Sequence, residues 1–134
     1  MISAQDLIEK ILARSTTDDC IVVVKDKTQA NLRWASSTLT TNGVIQERSV
    51  TVIAFVAMNG SMASGAVTRT NVNDSDIDTL LSEATAAAKA AGAAEDFAPL
   101  ARDVSFGDWS APHTPTGPDV FSKFAPELGD MLRH

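Results

Sequence analysis

The stretch Arg33–Val56, RWASSTLTTNGVIQERSVTVIAFV, decides how this chain is read. Its first half is polar and rich in hydroxyls, its middle holds Asn42-Gly43, and Val50–Val56 is apolar at nearly every position. A strand with one solvated face alternates polar and apolar side chains, whereas one covered on both faces reads as a continuous β-branched run. The segment therefore predicts the end of a polar strand at Arg33-Trp34 and a Ser/Thr-rich turn ending in Asn42-Gly43. A long strand, Val44–Ala57, follows, and its apolar end lies at the centre of a sheet. The stretch carries hydroxyls, an amide and two arginines, but a single carboxylate, Glu47, and no His or Cys. Such a set suits binding to a polypeptide backbone better than chemistry.

Upstream, Cys20–Lys25 is a β-branched run that predicts a strand, and Asp26-Lys27-Thr28 predicts a short polar turn. Ala30, Leu32 and Trp34 then alternate with Asn31 and Arg33, the period of a half-buried strand. Downstream, Asn59-Gly60 is a type I′ hairpin signal, and Ser61–Thr70 returns as a strand of small residues in which Gly65 marks a close approach.

Helices flank these strands. Ser3 stands as an N-cap with Asp6 in the capping-box position, and Leu7, Ile8, Ile11 and Leu12 form a stripe, predicting a helix over 3–14. Asn73 or Asp74 caps a second helix that places Ile77, Leu80, Leu81, Ala84 and Ala88 on one face and ends at Gly92. Its Ala-rich part, Ala84–Ala94, calls for a close packing partner, most simply the sheet. Asp74, Asp76 and Asp78 crowd its start, where negative charge complements the helix dipole, a simpler reading than a metal site.

The order α-β-β-β-β-α predicts an α+β domain: a mostly antiparallel four-stranded sheet with two helices packed on it, spanning residues 1–100. Residues 101–134 have the Pro, Gly, Asp and Ser texture of an arm, with a short helix within Val120–Leu132 interrupted by Pro126 and Gly129. From residue 93 onward lie all 5 prolines and Phe97, Phe106, Trp109, Phe121 and Phe124, with a net charge of −4 against −2 for residues 1–92. An aromatic, acidic arm of this kind is expected to dock on the body, a partner or a further domain, or to promote self-association.

The 134 residues suffice for one domain with a core of its own. A net charge of −6, with 11 scattered basic residues, argues against direct nucleic-acid binding. No apolar run approaches the length of a membrane span, and no basic start with an apolar run resembles a secretory signal, so the expectation is a cytoplasmic protein without membrane contact. The one cysteine, Cys20, opens an apolar run and reads as a buried structural thiol.

The histidines are His113, in a Pro-rich loop, and His134, and neither has a helical partner for zinc. There is no G-x-S-x-G, no glycine-rich nucleotide loop and no base beside a nucleophile, so no catalytic and no metal-binding residue is assigned. Binding residues are sought on the polar half of the opening stretch: Arg33, Trp34, Thr41, Asn42 and Arg48. Arginines there can hold a peptide carboxylate, and a hydroxyl-rich strand can add an extended peptide as a further strand. The simplest reading of Trp34, on the apolar face of its strand, is nevertheless core packing.

The E-R-S-V-T-V-I of Glu47–Ile53, the N-G-S-M-A-S-G of Asn59–Gly65, the Thr70-Asn71 step and the helix from Asp74 resemble the N-terminal domain of the TldD/PmbA family, once described as modulators of DNA gyrase. The L-R-W-A-S-S-T-L-T-T-N-G-V of Leu32–Val44 is similar to the PmbA, or TldE-like, branch. The resemblance covers about residues 3–100 and the arm loosely. It implies a cytoplasmic metallopeptidase assembly of two related subunits that encloses a cavity for extended peptides. An H-E-x-x-x-H zinc motif lies in a downstream domain of one of them. No residue here matches that motif, so the resemblance implies no cofactor in this chain and zinc only in a partner subunit or a downstream domain.

The expected function is accordingly that of an N-terminal accessory domain of such an assembly. It would contribute to contacts with a TldD-like partner subunit or a second copy, and to the peptide-binding cavity. The alternative is a free-standing protein-interaction module.

Overall fold

The computed structural model describes residues 2–103 and 105–133; His134, weighed above as a zinc ligand, lies outside them. Along the chain run α1 (Ala4–Arg14), β1 (Asp19–Ala35), β2 (Thr38–Met58), β3 (Ser61–Thr70), a 3-10 turn (Asp74–Asp76), α2 (Ile77–Ala91), a second 3-10 turn (Pro118–Phe121) and α3 (Phe124–Met131). The strands form one sheet in the order β1-β2-β3.

The class is α+β, but the expected four-stranded sheet with two helices is corrected, among the described residues, to a sheet of three strands with three α-helices. Asp26-Lys27-Thr28 does not turn: it stays extended and fuses the two expected strands into β1. Neither glycine nor proline stands among these three residues, so nothing in them forces the chain to reverse. The reversal falls at Ser36-Ser37, with φ of 49° and 60°, the left-handed pair of a type I′ turn. Asn42-Gly43, expected at a turn, lies within β2 instead. The third helix forms because Pro126 occupies the first turn of α3, where backbone N–H groups have no intrahelical partner to lose.

The chain divides into two compact units: Met1–Lys25 with Arg48–Ala111, and Asp26–Glu47 with Pro112–His134. The first holds the core. Its α1 starts as its sequence predicts, with the Ser3 hydroxyl accepting from the Asp6 amide at 3.0 Å. Leu7 and Ile11 of α1 meet Val50, Val52 and Ala54 of β2 and Ile77, Leu80, Leu81 and Ala84 of α2, with Cys20, Val22 and Val24 of β1 alongside. Burying one such Leu, Ile or Val side chain contributes about 1.5–3 kcal/mol. Asp74 ties α1 to the start of α2, accepting from Lys10 Nζ at 2.9 Å and Arg14 Nη2 at 2.8 Å. The Asp76 carboxylate accepts from the Asn73 amide at 2.8 Å, and Gly92 closes α2 at φ 76°.

β2 and β3 join through Asn59-Gly60 and pair antiparallel from Met58↔Ser61 to Ser49↔Thr70 without interruption. Gly65, opposite Ala54, marks a helix contact and not a bulge: a Cβ there would strike the backbone of Ala84, Ala87 and Ala88 on α2. The Ala-rich helix thus finds its close partner in β3. On the opposite face of the same pair, the Thr51 and Thr68 hydroxyls hydrogen-bond at 2.7 Å.

In the second unit, the two-residue turn sets the register of the hairpin tip. It places Ala35 opposite Thr38 and so Arg33 opposite Thr40. The Thr40 hydroxyl donates to the Arg33 carbonyl at 3.2 Å, in agreement. The C-terminal segment lies on one face of this tip: Gly129 of α3 sits against the Trp34 ring, and the Thr116 amide donates to Thr28 Oγ1 at 2.8 Å.

Candidate functional site

The site is a strand edge that arises because β2 outruns β3. Pairing between them ends at Ser49↔Thr70, and the Asn71 amide makes a last bond to the Arg48 carbonyl at 3.1 Å. At Asn71 the backbone takes a φ of 54° and the chain leaves the sheet for the start of α2. Among the described residues, Thr38–Glu47 therefore has β1 on one side and no third strand on the other. Every residue from Thr38 to Glu47 except Gly43 is exposed. Among the described residues, no backbone hydrogen bond from outside the sheet reaches this segment.

In an antiparallel pair, alternate residues turn their N–H and C=O groups toward the partner strand and the rest turn them away. With Ala35 opposite Thr38 and Arg33 opposite Thr40, Leu39 and Thr41 direct their backbone groups outward at the tip, and at the other end of the segment the Arg48 carbonyl faces the β3 side, so the alternation shifts by one residue between them. This is a row of donors and acceptors of the kind that templates a further strand.

The binding residues expected from sequence divide between the units. Arg33 on β1 and Thr41 and Asn42 on β2 are exposed at the hairpin tip. Trp34 shares that tip but is half-buried against Gly129, and its Nε1 is enclosed without a hydrogen-bond partner. A buried indole N–H left unsatisfied opposes burial. Arg48 belongs to the first unit, half-buried, with Nη1 donating to the Ile2 carbonyl at 2.6 Å. Sequence reasoning missed Lys27, Leu39 and Ile45 as neighbours of the edge, because it put turns at Asp26–Thr28 and before Val44.

The remaining polar features are committed elsewhere. An open cavity of about 420 Å³ lies where Arg14–Thr17 faces α2. Its groups are spent on one another: Ser15 and Thr17 share a hydrogen bond at 2.9 Å, Thr17 donates to the Asp19 carbonyl, and Arg14 pairs with Asp74. The Lys10 and Arg14 hydrogen bonds hold the Asp74 carboxyl below its ordinary range. Burial pushes the Cys20 thiol up, against the opposing hydrogen bond from Ser15. Among the described residues, no helix is long and apolar enough to cross a membrane.

Comparison with protein-family models, curated proteins and solved structures finds no match. The functional reading therefore stands on the chain's own geometry and motifs.

Proposed function

We propose that this chain is an N-terminal accessory domain of a TldD/PmbA-type peptidase assembly that receives an extended peptide along Leu39–Glu47. The sequence motifs at Leu32–Val44, Glu47–Ile53 and Asn59–Gly65 support the family reading. The observation that carries the binding role is the exposed edge of β2 beyond the end of β3. Main-chain hydrogen bonds supply the affinity of strand addition, and alternate side chains supply its selectivity. The domain would hold the peptide while a partner subunit or a downstream domain supplies the chemistry, in a cytoplasmic complex with a TldD-like subunit or a second copy of this chain.

Nuclear magnetic resonance of the full chain tests this reading with unstructured peptides as the titrant. The expected result is shift changes within Leu39–Glu47 that include the amides of Leu39 and Thr41, abolished when Thr41 is replaced by proline. Proline removes an outward N–H from the edge without touching the core. Shift changes confined to the α1–α2 cavity, or unaltered by Thr41→Pro, would overturn it.

A further inference from the structure

We infer that α3 is a detachable cover over Trp34, and that the surface beneath it receives an amphipathic helix from a partner chain. The inference is independent of strand addition at Leu39–Glu47, because it concerns the surface around Trp34 and not the edge of β2.

Within β1, Thr28, Ala30, Leu32 and Trp34 are half-buried, while Lys27, Gln29 and Arg33 are exposed. The C-terminal segment touches both ends of the half-buried row: the Thr116 amide donates to Thr28 Oγ1, and Gly129 sits against the Trp34 ring. From the second 3-10 turn through α3 the half-buried residues are Phe121, Ala125, Leu128 and Gly129, at i, i+4, i+7 and i+8. That spacing is one helical stripe. The last of them has to be small, since a Cβ on Gly129 would stand 3.3 Å from the Trp34 ring.

The seat is imperfect in three ways. The helix has 8 residues, none of them fully buried, and an isolated helix shorter than about 12–15 residues is marginal in water, so α3 keeps its form only while seated. Phe124 and Met131, seven apart on α3, are 56% and 75% exposed, apolar surface that the seat does not reach. Trp34 Nε1 is enclosed with no acceptor among the described residues, which opposes closure. Between Gly92 and Gly117 the described residues form no helix or strand, so α3 can leave its seat without drawing on α2 or the sheet.

A partner helix has two advantages over α3. With more turns it is helical before it binds, and an acceptor side chain on it satisfies Trp34 Nε1. The α3 of a second copy has neither advantage. It also meets a competitor tethered beside the seat at an effective concentration on the order of 1 mM. The partner's helix therefore repeats the apolar stripe of α3, with a small residue over the Trp34 ring and an amide or carboxylate side chain beside it.

The test uses the full chain carrying Trp109→Phe, so that fluorescence reports Trp34 alone. Two variants of it unseat α3: Gly129→Leu crowds the ring, and Leu128→Asp puts a charge into the stripe. Acrylamide quenching of Trp34 should rise in both, with the amide shifts of Val50, Val52 and Ala54 unmoved. The probe is a labelled peptide of about 15 residues that repeats the α3 stripe with a glutamine beside its glycine, long enough to be helical alone. By anisotropy it should bind both variants about tenfold more tightly than the parent, as for a seat open about one-tenth of the time. A scrambled peptide should not bind. Unchanged quenching in both variants, or equal peptide affinity for parent and variants, overturns the cover. Loss of the dispersed amide signals of Thr38–Glu47 in both variants makes α3 a fixed part of the fold and overturns it too. Exposure of Trp34 without peptide binding, or equal binding of the scrambled peptide, overturns the partner helix. A concentration-dependent dimer of the parent, abolished in both variants, assigns the seat to a second copy's α3 instead.

Discussion

Replacing Gly65 with alanine tests the packing on which the first unit depends. The new methyl carbon would lie against the Ala88 backbone nitrogen, 2.5 Å from the Ala87 carbonyl carbon and 2.7 Å from the Ala84 carbonyl oxygen. All three are backbone atoms of α2, so no rotamer change relieves the clash; the helix and β3 must move apart. That separation loosens contacts of Leu80, Ala84 and Ala88, all buried. Overpacking a core costs about 1–3 kcal/mol. A backbone obstacle places this case at the upper end, less the roughly 0.5–1 kcal/mol that alanine gains over glycine in a strand. A net loss of about 2 kcal/mol is expected, read from the urea midpoint by circular dichroism. Gly43→Ala, with open space around it and no positive φ, is the matched control and should leave stability within about 0.5 kcal/mol. Trimming α2 with Ala88→Gly should not rescue Gly65→Ala, since the obstacle is main chain. A Gly65→Ala protein as stable as the wild type, or rescue by Ala88→Gly, would refute the packing argument.

Three further outcomes are expected. Ser36→Asn with Ser37→Gly should stabilise the chain by about 1 kcal/mol, by relieving left-handed strain in two serines, and a loss of stability would mean the turn lies elsewhere. Asp74→Asn should lower stability at neutral pH and flatten the acid limb of the stability curve. Lys10 and Arg14 depress the folded carboxyl, so its contribution is present above the ordinary carboxylate range and lost as pH falls toward the folded value. Urea titrations at pH 7 and pH 3 with parallel losses in both proteins would contradict this. Cys20 should react slowly with a thiol reagent until urea unfolds the chain, and stability should decline as pH rises through the ordinary thiol range, because the fold favours the protonated form. Reaction as fast in the native as in the unfolded protein would count against protection of this half-buried thiol by the fold.

Where one local signal and one packing partner agree, the sequence was a sufficient guide. The Ser3 cap, the α2 face from Ile77 to Ala88 and its Gly92 stop are in place, and of the α1 stripe Leu7 and Ile11 are buried while Leu12 is exposed. Val50 and Val52 are fully buried in the middle strand, as their apolar run implies. The misreadings concern turns. Serine seldom takes a positive φ, so Ser36-Ser37 gave no warning, while Asn42-Gly43, the stronger hairpin signal, is overridden by pairing of β2 with β1. The open edge was illegible for a related reason. It depends on where β3 stops against β2, which the turn at Asn59-Gly60 and the kink at Asn71 determine together. Arg33, Thr41 and Asn42 were reachable from polarity alone, but Leu39 and Ile45 acquire meaning only once that edge is drawn.

The two tight turns also bear on the order of folding. Both junctions of the sheet are two-residue hairpins, so each can zip from its own turn on a timescale of about 1–10 μs. The helical layer closes much longer loops: Lys10 and Arg14 meet Asp74 across 64 and 60 residues. Contacts so distant in sequence carry the slower entropy of loop closure. The sheet is therefore expected to precede its cover, leaving Val50, Val52 and Ala54 briefly bare until α2 seats against Gly65. The rate at which this chain becomes native is then a rate of helix docking, and Gly65 is the residue at which that docking finishes.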